Sequence, residues 1–441
     1  MTLIVEYPLK KYYNSFGGYM DEIKNILAHD AVRVKQYAVS FIKWILFAAV
    51  TGAIGGGIGA AFRYSINYVT DLRSENTWLC YLLPLGGIVI AFLYRVTKLS
   101  GHADTNLIIN SVRTDGKLPI LLAPVIFISS VVTHLFGGSA GREGAALQLG
   151  GTIGSFLGRI FRFGEKDMHM AIMCGMSGLF SALFGTPLTA AIFAMEVISV
   201  GIMYYSSFVP CMVSALAAYW ITKLLGLEPT SFVIKSIPQL NITSVLLVAV
   251  IGVGCALVSI LFCLALKWTH KLAAKYFKNE YLRVIVGGCA IVILTLLIGT
   301  RYSGTGTDII TQALDGKDVL PYDFILKIIF TAITIGFGYK GGEIIPTFFI
   351  GATLGSLIGS LIGLPASFSA AVGLIALFCA VVNCPIASII LSVEMFGSQG
   401  LVMFAAAICI SFMLSGYYGL YTGQKIIYSK RRTRFINRNA K

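Results

Sequence analysis

The sequence predicts an all-α polytopic membrane protein. Three observations carry that reading. Of 441 residues, 56% are hydrophobic and only 12% charged. Apolar runs recur from about residue 36 to about residue 421, and glycine, present 47 times, interrupts them repeatedly. A soluble domain carries about 25% charged residues, so this chain has too few charges to coat a soluble surface. Soluble enzyme, disordered scaffold and collagen-like fibre are therefore excluded. The alternating ten-residue segments of a membrane barrel fit nowhere along the chain.

The polar head, residues 1–35, has no apolar core of the kind a cleaved signal needs and reads as a cytoplasmic N-terminal segment. Apolar segments then fall at about 36–69, 78–98, 118–136, 144–161, 169–182, 187–203 and 208–226, a first membrane repeat over 36–226. After a linker at 227–239, a second series covers 240–428, with segments at about 240–272, 281–300, 322–338, 345–362, 366–382, 385–396 and 399–421. Residues 429–441 form a basic tail. Several segments approach the ~20 residues a spanning helix needs, but many are shorter. Short, broken helices at membrane depth persist only where protein or a water-filled cavity surrounds them, which points to a pathway through the molecule.

Thirty-four Lys and Arg against 20 Asp and Glu give a net charge of +14. The cations cluster at the head (Lys10, Lys11, Lys24, Arg33, Lys35, Lys43) and the tail (Lys430, Arg431, Arg432, Arg434, Arg438, Lys441). That placement fits membrane topology with both termini cytoplasmic in a cell membrane, not a nucleic-acid partner. The nine cysteines lie singly in apolar stretches, without metal-ligand spacing, and read as small buried hydrophobes. No cofactor or metal is implied.

The two series are versions of one another. GREGAALQLGGTIGSFLG (141–158) aligns with GEIIPTFFIGATLGSLIG (342–359), so that Gly141, Gly150, Thr152, Gly154 and Gly158 fall on Gly342, Gly351, Thr353, Gly355 and Gly359. PLTAAIFAME (187–196) aligns with PIASIILSVE (385–394), each with a proline nine residues before a glutamate. Duplicated membrane units place their substrate near the midplane, between discontinuous helices whose N-terminal ends face an anion. Spacing alone leaves parallel and inverted units both open.

GGSAGREGA (137–145) and GYKGGEIIP (338–346) each put glycines just before a helical run. Free N–H groups at such a helix start bind an anion without a formal cation, weakly enough for turnover. The competing reading is that the glycines serve close helix packing. Glu143 sits inside the first opening, where an ionisable group in an apolar run is a functional candidate by default. Its carboxylate would occupy the anion's place and leave when protonated; the alternative is a structural pair with Arg142. For Glu196 and Glu394, structural hydrogen bonding to nearby backbone is the preferred reading.

These residues resemble the CLC family of chloride channels and chloride/proton exchangers. Gly141-Arg142-Glu143-Gly144 matches the family's GREGP loop with Ala145 in place of proline, and GGEIIP (341–346) resembles its GxFxP loop. TGQKIIYS (422–429) resembles the segment carrying the family's anion-coordinating tyrosine, which falls on Tyr428. The likeness covers about residues 36–430, in a prokaryotic-type chain without CBS domains. It implies a CLC-type fold of two inverted repeats with many short, broken and tilted helices, working as a homodimer in the lipid bilayer with one pathway per subunit. It also implies an anion site drawn from His102, Gly141, Arg142, Gly144, Ala145, Ile344, Ile345 and Tyr428, with Glu143 as gate.

The sequence departs from the family at telling points. The serine loop GSGIP becomes GHADT (101–105), which puts His102 at the serine position. Ile344 replaces the phenylalanine of GxFxP, and Glu343 stands where an apolar residue is usual. The exchangers' intracellular glutamate falls on Val197. The expected function is proton-coupled exchange of a small anion, chloride foremost, with Glu143 and Glu343 handling protons. A passive CLC channel and a fluoride/proton exchanger are the alternatives within the family. Outside it stand a cation-coupled solute carrier, which would need a larger polar cavity with acidic cation ligands, and a non-transporting scaffold.

Overall fold

A computed structural model describes residues 9–99, 104–114 and 118–441, with side chains for residues 29, 30 and 32 onward. His102 therefore lies outside the described residues. The chain divides into two units, Met1–Phe47 and Ala48–Lys441. In the first, the Trp44 and Phe47 rings meet edge to face at 5.7 Å.

The helices, in order, are α1 (Leu9–Glu75), α2 (Leu83–Val96), α3 (Thr105–Thr114), α4 (Leu122–Leu135), α5 (Glu143–Ile160), α6 (Glu165–Phe184), α7 (Pro187–Glu196) and α8 (Phe208–Leu224). The second series is α9 (Ile242–Tyr276), α10 (Glu280–Ile298), α11 (Thr307–Leu314), α12 (Asp323–Gly336), α13 (Ile344–Ile362), α14 (Ala366–Val382), α15 (Pro385–Phe396) and α16 (Leu401–Leu414). Seven helices among the described residues are long and apolar enough to cross a membrane, and α4, α7, α14, α15 and α16 are apolar but shorter.

The architecture is helical with one addition the sequence did not announce. Three short strands, β1 (Ser199–Val200), β2 (Lys425–Tyr428) and β3 (Phe435–Asn439), form a small sheet in the order β1-β2-β3. β1 pairs parallel with β2, and β2 pairs antiparallel with β3.

The aligned glycines are contact points. A Cβ on Gly150 would stand 2.2 Å from the Gly175 carbonyl oxygen, and one on Gly351 would stand 2.5 Å from that of Gly373. The α5–α6 and α13–α14 pairs thus cross in the same way, backbone against backbone, as small residues allow in membranes. Thr152 and Thr353, equivalent in the repeat, each return their hydroxyl to the carbonyl four residues back.

The relative direction of the units follows from two glutamates. Glu196, at the end of α7, accepts from the Ile386 and Ala387 amides at the start of α15, at 3.1 and 2.8 Å. Glu394, near the end of α15, accepts from Leu188 and Thr189 at the start of α7, at 2.9 and 2.8 Å. Each helix ends where the other begins, so α7 and α15 run antiparallel and the repeats are inverted. Both glutamates close helix starts whose first-turn amides lack intrahelical partners, and a carboxylate there is favoured by the local dipole.

Candidate functional site

The two glycine-opened loops meet directly. Gly141 and Gly342 exchange both backbone hydrogen bonds at 2.6 Å, an antiparallel bridge joining the starts of α5 and α13. Close approach requires glycine on both sides, since a Cβ on Gly342 would stand 2.4 Å from the Gly144 nitrogen. Neither helix start carries a side-chain cap, whereas Asn241 and Asn279 cap α9 and α10. Gly144 and Ala145 on α5, and Ile344 and Ile345 on α13, all lie buried in first turns.

Each of two carboxylates reaches across this bridge toward the opposite helix start. Glu143, the first residue of α5, is 1% exposed. Its Oε2 accepts from the Arg142 N–H at 3.0 Å, and the carboxylate also faces the Ile345 N–H of α13. Its Oε1 has no hydrogen-bond partner and lies 3.4 Å from Arg142 Nε. Glu343 is the N-cap of α13, the position Arg142 holds for α5. Its Oε2 is buried without a partner among the described residues and would stand 3.1 Å from a Cβ on Gly144 of α5. The Arg142 guanidinium turns aside, pairing with Glu143 and donating to Asn67 Oδ1 at 3.2 Å. Arg142 thus turns its backbone N–H to the Glu143 carboxylate, while its side chain pairs with that same residue.

Glu343 also lines a cavity of about 350 Å³, together with Asp104, Thr105, Gln148, Lys340 and Tyr421. Gln148 donates to Thr105 Oγ1 at 3.1 Å and leaves its own Oε1 unpartnered. Lys340 holds its ammonium 4.5 Å from the centre of the Tyr94 ring.

The tyrosine expectation needs correcting. Tyr428 is 47% exposed on β2, stacked edge to face on Phe435 at 5.8 Å and packed by Gly201, apart from the paired helix starts. Tyr421, not Tyr428, borders the cavity with Glu343. It is 2% exposed, its hydroxyl has no partner among the described residues, and it lies within electrostatic reach of both Glu343 and Glu143. The segment around it is firmly held. Leu420 N–H donates to the Val381 carbonyl and Gly423 N–H to Asn106 Oδ1, both at 2.8 Å. Gln424 reaches the carbonyls of Val197 and Val382. A sequence signal was present: Tyr421 is framed by Gly419 and Gly423, as the two helix-start loops are framed by glycine. Thr105, Gln148 and Lys340 carried no comparable mark.

Two inverted repeats meeting at uncapped helix starts, with a carboxylate beside each, fit a membrane protein that passes an anion. The comparisons with known proteins agree. The family model for the voltage gated chloride channel matches residues 85–416. A chloride/fluoride channel protein of Pseudomonas syringae pv. tomato is 34% identical over 399 residues, covering 88% of this chain and 87% of that one. The H(+)/Cl(-) exchange transporter ClcA of Vibrio campbellii is 25% identical, covering 86% and 89%. Among solved structures, a CLC-type fluoride/proton antiporter superposes with a TM-score of 0.84 at 32% identity, over 87% of this chain and 98% of that one. The chain belongs to the voltage-gated chloride channel family, the CLC transporters.

Proposed function

We propose that this CLC protein exchanges a small anion, chloride foremost, for protons across the cell membrane, as a homodimer with both termini cytoplasmic. The anion sits against the amides that open α5 and α13, within reach of the Tyr421 hydroxyl. Glu143 is the gate: ionised, it covers the Ile345 amide; protonated, it leaves and carries its proton with it. Glu343, on the cavity side of the bridge, is the second proton group, at a place the expected acid at Val197 does not fill. The observation that carries this reading is the pair of carboxylates, each aimed at the opposite repeat's helix start.

A second reading, fluoride as the anion, is favoured by two relatives above 30% identity whose names include fluoride. The test is anion efflux from proteoliposomes, with chloride and fluoride electrodes and external pH recorded together. A chloride gradient should drive protons uphill in the parent, and Glu143→Gln should abolish that while anion flux persists. Fast anion flux without proton movement in the parent would make it a channel. Fluoride turnover well above chloride turnover would select the second reading.

A further inference from the structure

The C-terminal hairpin carries a dense cluster of cations, Lys430, Arg431, Arg432, Arg434 and Arg438. β2 and β3 close on a small apolar core, where Val200, Ile426 and Ala440 are buried against Phe412, Tyr417 and Ile436. The turn between them reads Ser429-Lys430-Arg431-Arg432-Thr433-Arg434. Lys430 anchors it, donating to the Phe412 carbonyl at 3.0 Å, to Ser415 Oγ at 3.2 Å and to Asn383 Oδ1. That cation is fully engaged at the ends of α14 and α16.

The other four are not. Arg431, Arg432, Arg434 and Arg438 line one cavity of about 540 Å³ with Tyr417, Ser429 and Ile436, and no acidic side chain lines it. None of the four is in an ion pair among the described residues. Arg438 stacks with its guanidinium 3.5 Å from the Tyr417 ring centre, and its Nε is buried without a partner. Tyr417 Oη and Ser429 Oγ share a hydrogen bond of 2.7 Å, which adds a hydroxyl pair to the wall. The Ser429 hydroxyl first, then the Arg438 and Arg431 charges, hold the Tyr417 phenol below its ordinary range.

Four like charges around one space repel unless an anion sits among them. Guanidinium forks match the oxygens of a phosphate in a way ammonium groups do not. The surroundings indicate where that phosphate comes from. Met413, Leu414 and Phe435, beside the hairpin in the chain, are exposed apolar side chains at 47%, 50% and 62%. A basic cluster directly against the end of an apolar helix is suited to anionic lipid.

We propose that Arg431, Arg432, Arg434 and Arg438 form a binding site for the phosphate headgroup of an anionic phospholipid, whose acyl chains run along the apolar surface at the end of α16. The test uses the full chain in phosphatidylcholine nanodiscs, titrated with phosphatidylglycerol and read by native mass spectrometry. The parent should retain phosphatidylglycerol at least tenfold over phosphatidylcholine. R431Q/R432Q/R434Q leaves the Lys430 anchor and the Arg438 stack in place and should remove that preference. R432Q alone, at the exposed tip of the turn, should lower it two- to threefold, so the test survives if the triple variant misfolds. Inorganic phosphate and ATP, added separately at millimolar concentration, should not displace the lipid. Equal retention in parent and variants overturns the proposal. Displacement of bound phosphatidylglycerol by either soluble phosphate overturns the lipid as occupant.

Discussion

Gly141→Ala gives direct access to the gate. A Cβ at this position would stand 2.6 Å from Glu143 Oε2, well inside van der Waals contact, and 3.1 Å from Ile345 N and Cβ. The Ile345 contacts belong to a helix start fixed by the Gly141–Gly342 bridge, whereas the carboxylate is the end of a flexible side chain. The carboxylate is therefore what moves, and it gives up the 3.0 Å bond from the Arg142 amide. A hydrogen bond to a charged group contributes about 1.5–3 kcal/mol, which shifts the balance toward the displaced carboxylate by about tenfold to a hundredfold. Because the carboxylate and the anion compete for the same α13 amides, chloride should bind about tenfold more tightly. Isothermal titration calorimetry on purified protein measures this. The control is the same substitution in a Glu143→Ala background, where no carboxylate remains to displace and the effect should vanish. Unchanged or weaker chloride binding in Gly141→Ala, or an equal shift in both backgrounds, would refute the reasoning.

Four further substitutions probe other parts of the molecule. Tyr421→Phe removes one hydroxyl donor, worth about 1 kcal/mol, and should weaken anion affinity several-fold, while Tyr428→Phe should leave it unchanged. The reverse order in titrations of the two variants would return the role to Tyr428. Glu343→Gln should flatten the pH dependence of transport and strengthen anion binding at neutral pH, because a negative charge beside the anion is removed. A parental pH profile and affinity would reduce Glu343 to a helix cap. Glu196→Ala strands the buried Ala387 amide, worth about 1–3 kcal/mol when unpaired, and the part-buried Ile386 amide at the start of α15, and should lower the unfolding midpoint in detergent. A midpoint equal to the parent's would mean that water caps α15 equally well.

What was legible in the sequence was the part encoded locally. Glycines before an apolar run announce an open helix start, and Gly141-Arg142-Glu143-Gly144 and Gly341-Gly342-Glu343 stand where that pattern puts them. The Pro–Glu frame gave both ends of α7 and the start of α15, since proline is preorganised for a first turn. It did not give their direction, because one helix sequence is compatible with either orientation of the other. Only the crossing of Glu196 and Glu394 decides it. The tyrosine was misplaced for a related reason. Between the end of α16 and β2 the chain runs through turns, and its course depends on distant carbonyls at Val197, Val381 and Val382 that no local pattern names. Tyr421 and Tyr428 are seven residues apart, and the motif likeness pointed to the second. The small sheet escaped because its strands are short and two of its three partners are more than 200 residues apart.

The four paired helix starts show one chemical device put to two uses. At α7 and α15, a glutamate from the opposite repeat gives both of its oxygens to backbone amides, at 2.8 to 3.1 Å. Such a carboxylate gains nothing by leaving, and it locks the two units together. At α5 and α13 the arrangement is similar, but one oxygen of each carboxylate, Glu143 Oε1 and Glu343 Oε2, is buried without a hydrogen-bond partner. For Glu343 Oε2 an unsatisfied buried acceptor costs about 1–3 kcal/mol, whereas Glu143 Oε1 keeps only the 3.4 Å ion pair with Arg142 Nε in place of a second amide. In the proposed cycle neither Glu143 nor Glu343 is locked by two amides, so each can leave its helix start. A proton neutralises either group, and an incoming anion replaces its contact with the helix start. Glu143 and Glu343 are also not equivalent in the repeat, being the first residue of one helix and the N-cap of the other. The inverted pair is therefore symmetric in its backbone and asymmetric in its acids. Glu143 is sealed, while Glu343 borders the cavity, and a proton path needs that difference to run from one side of the anion to the other.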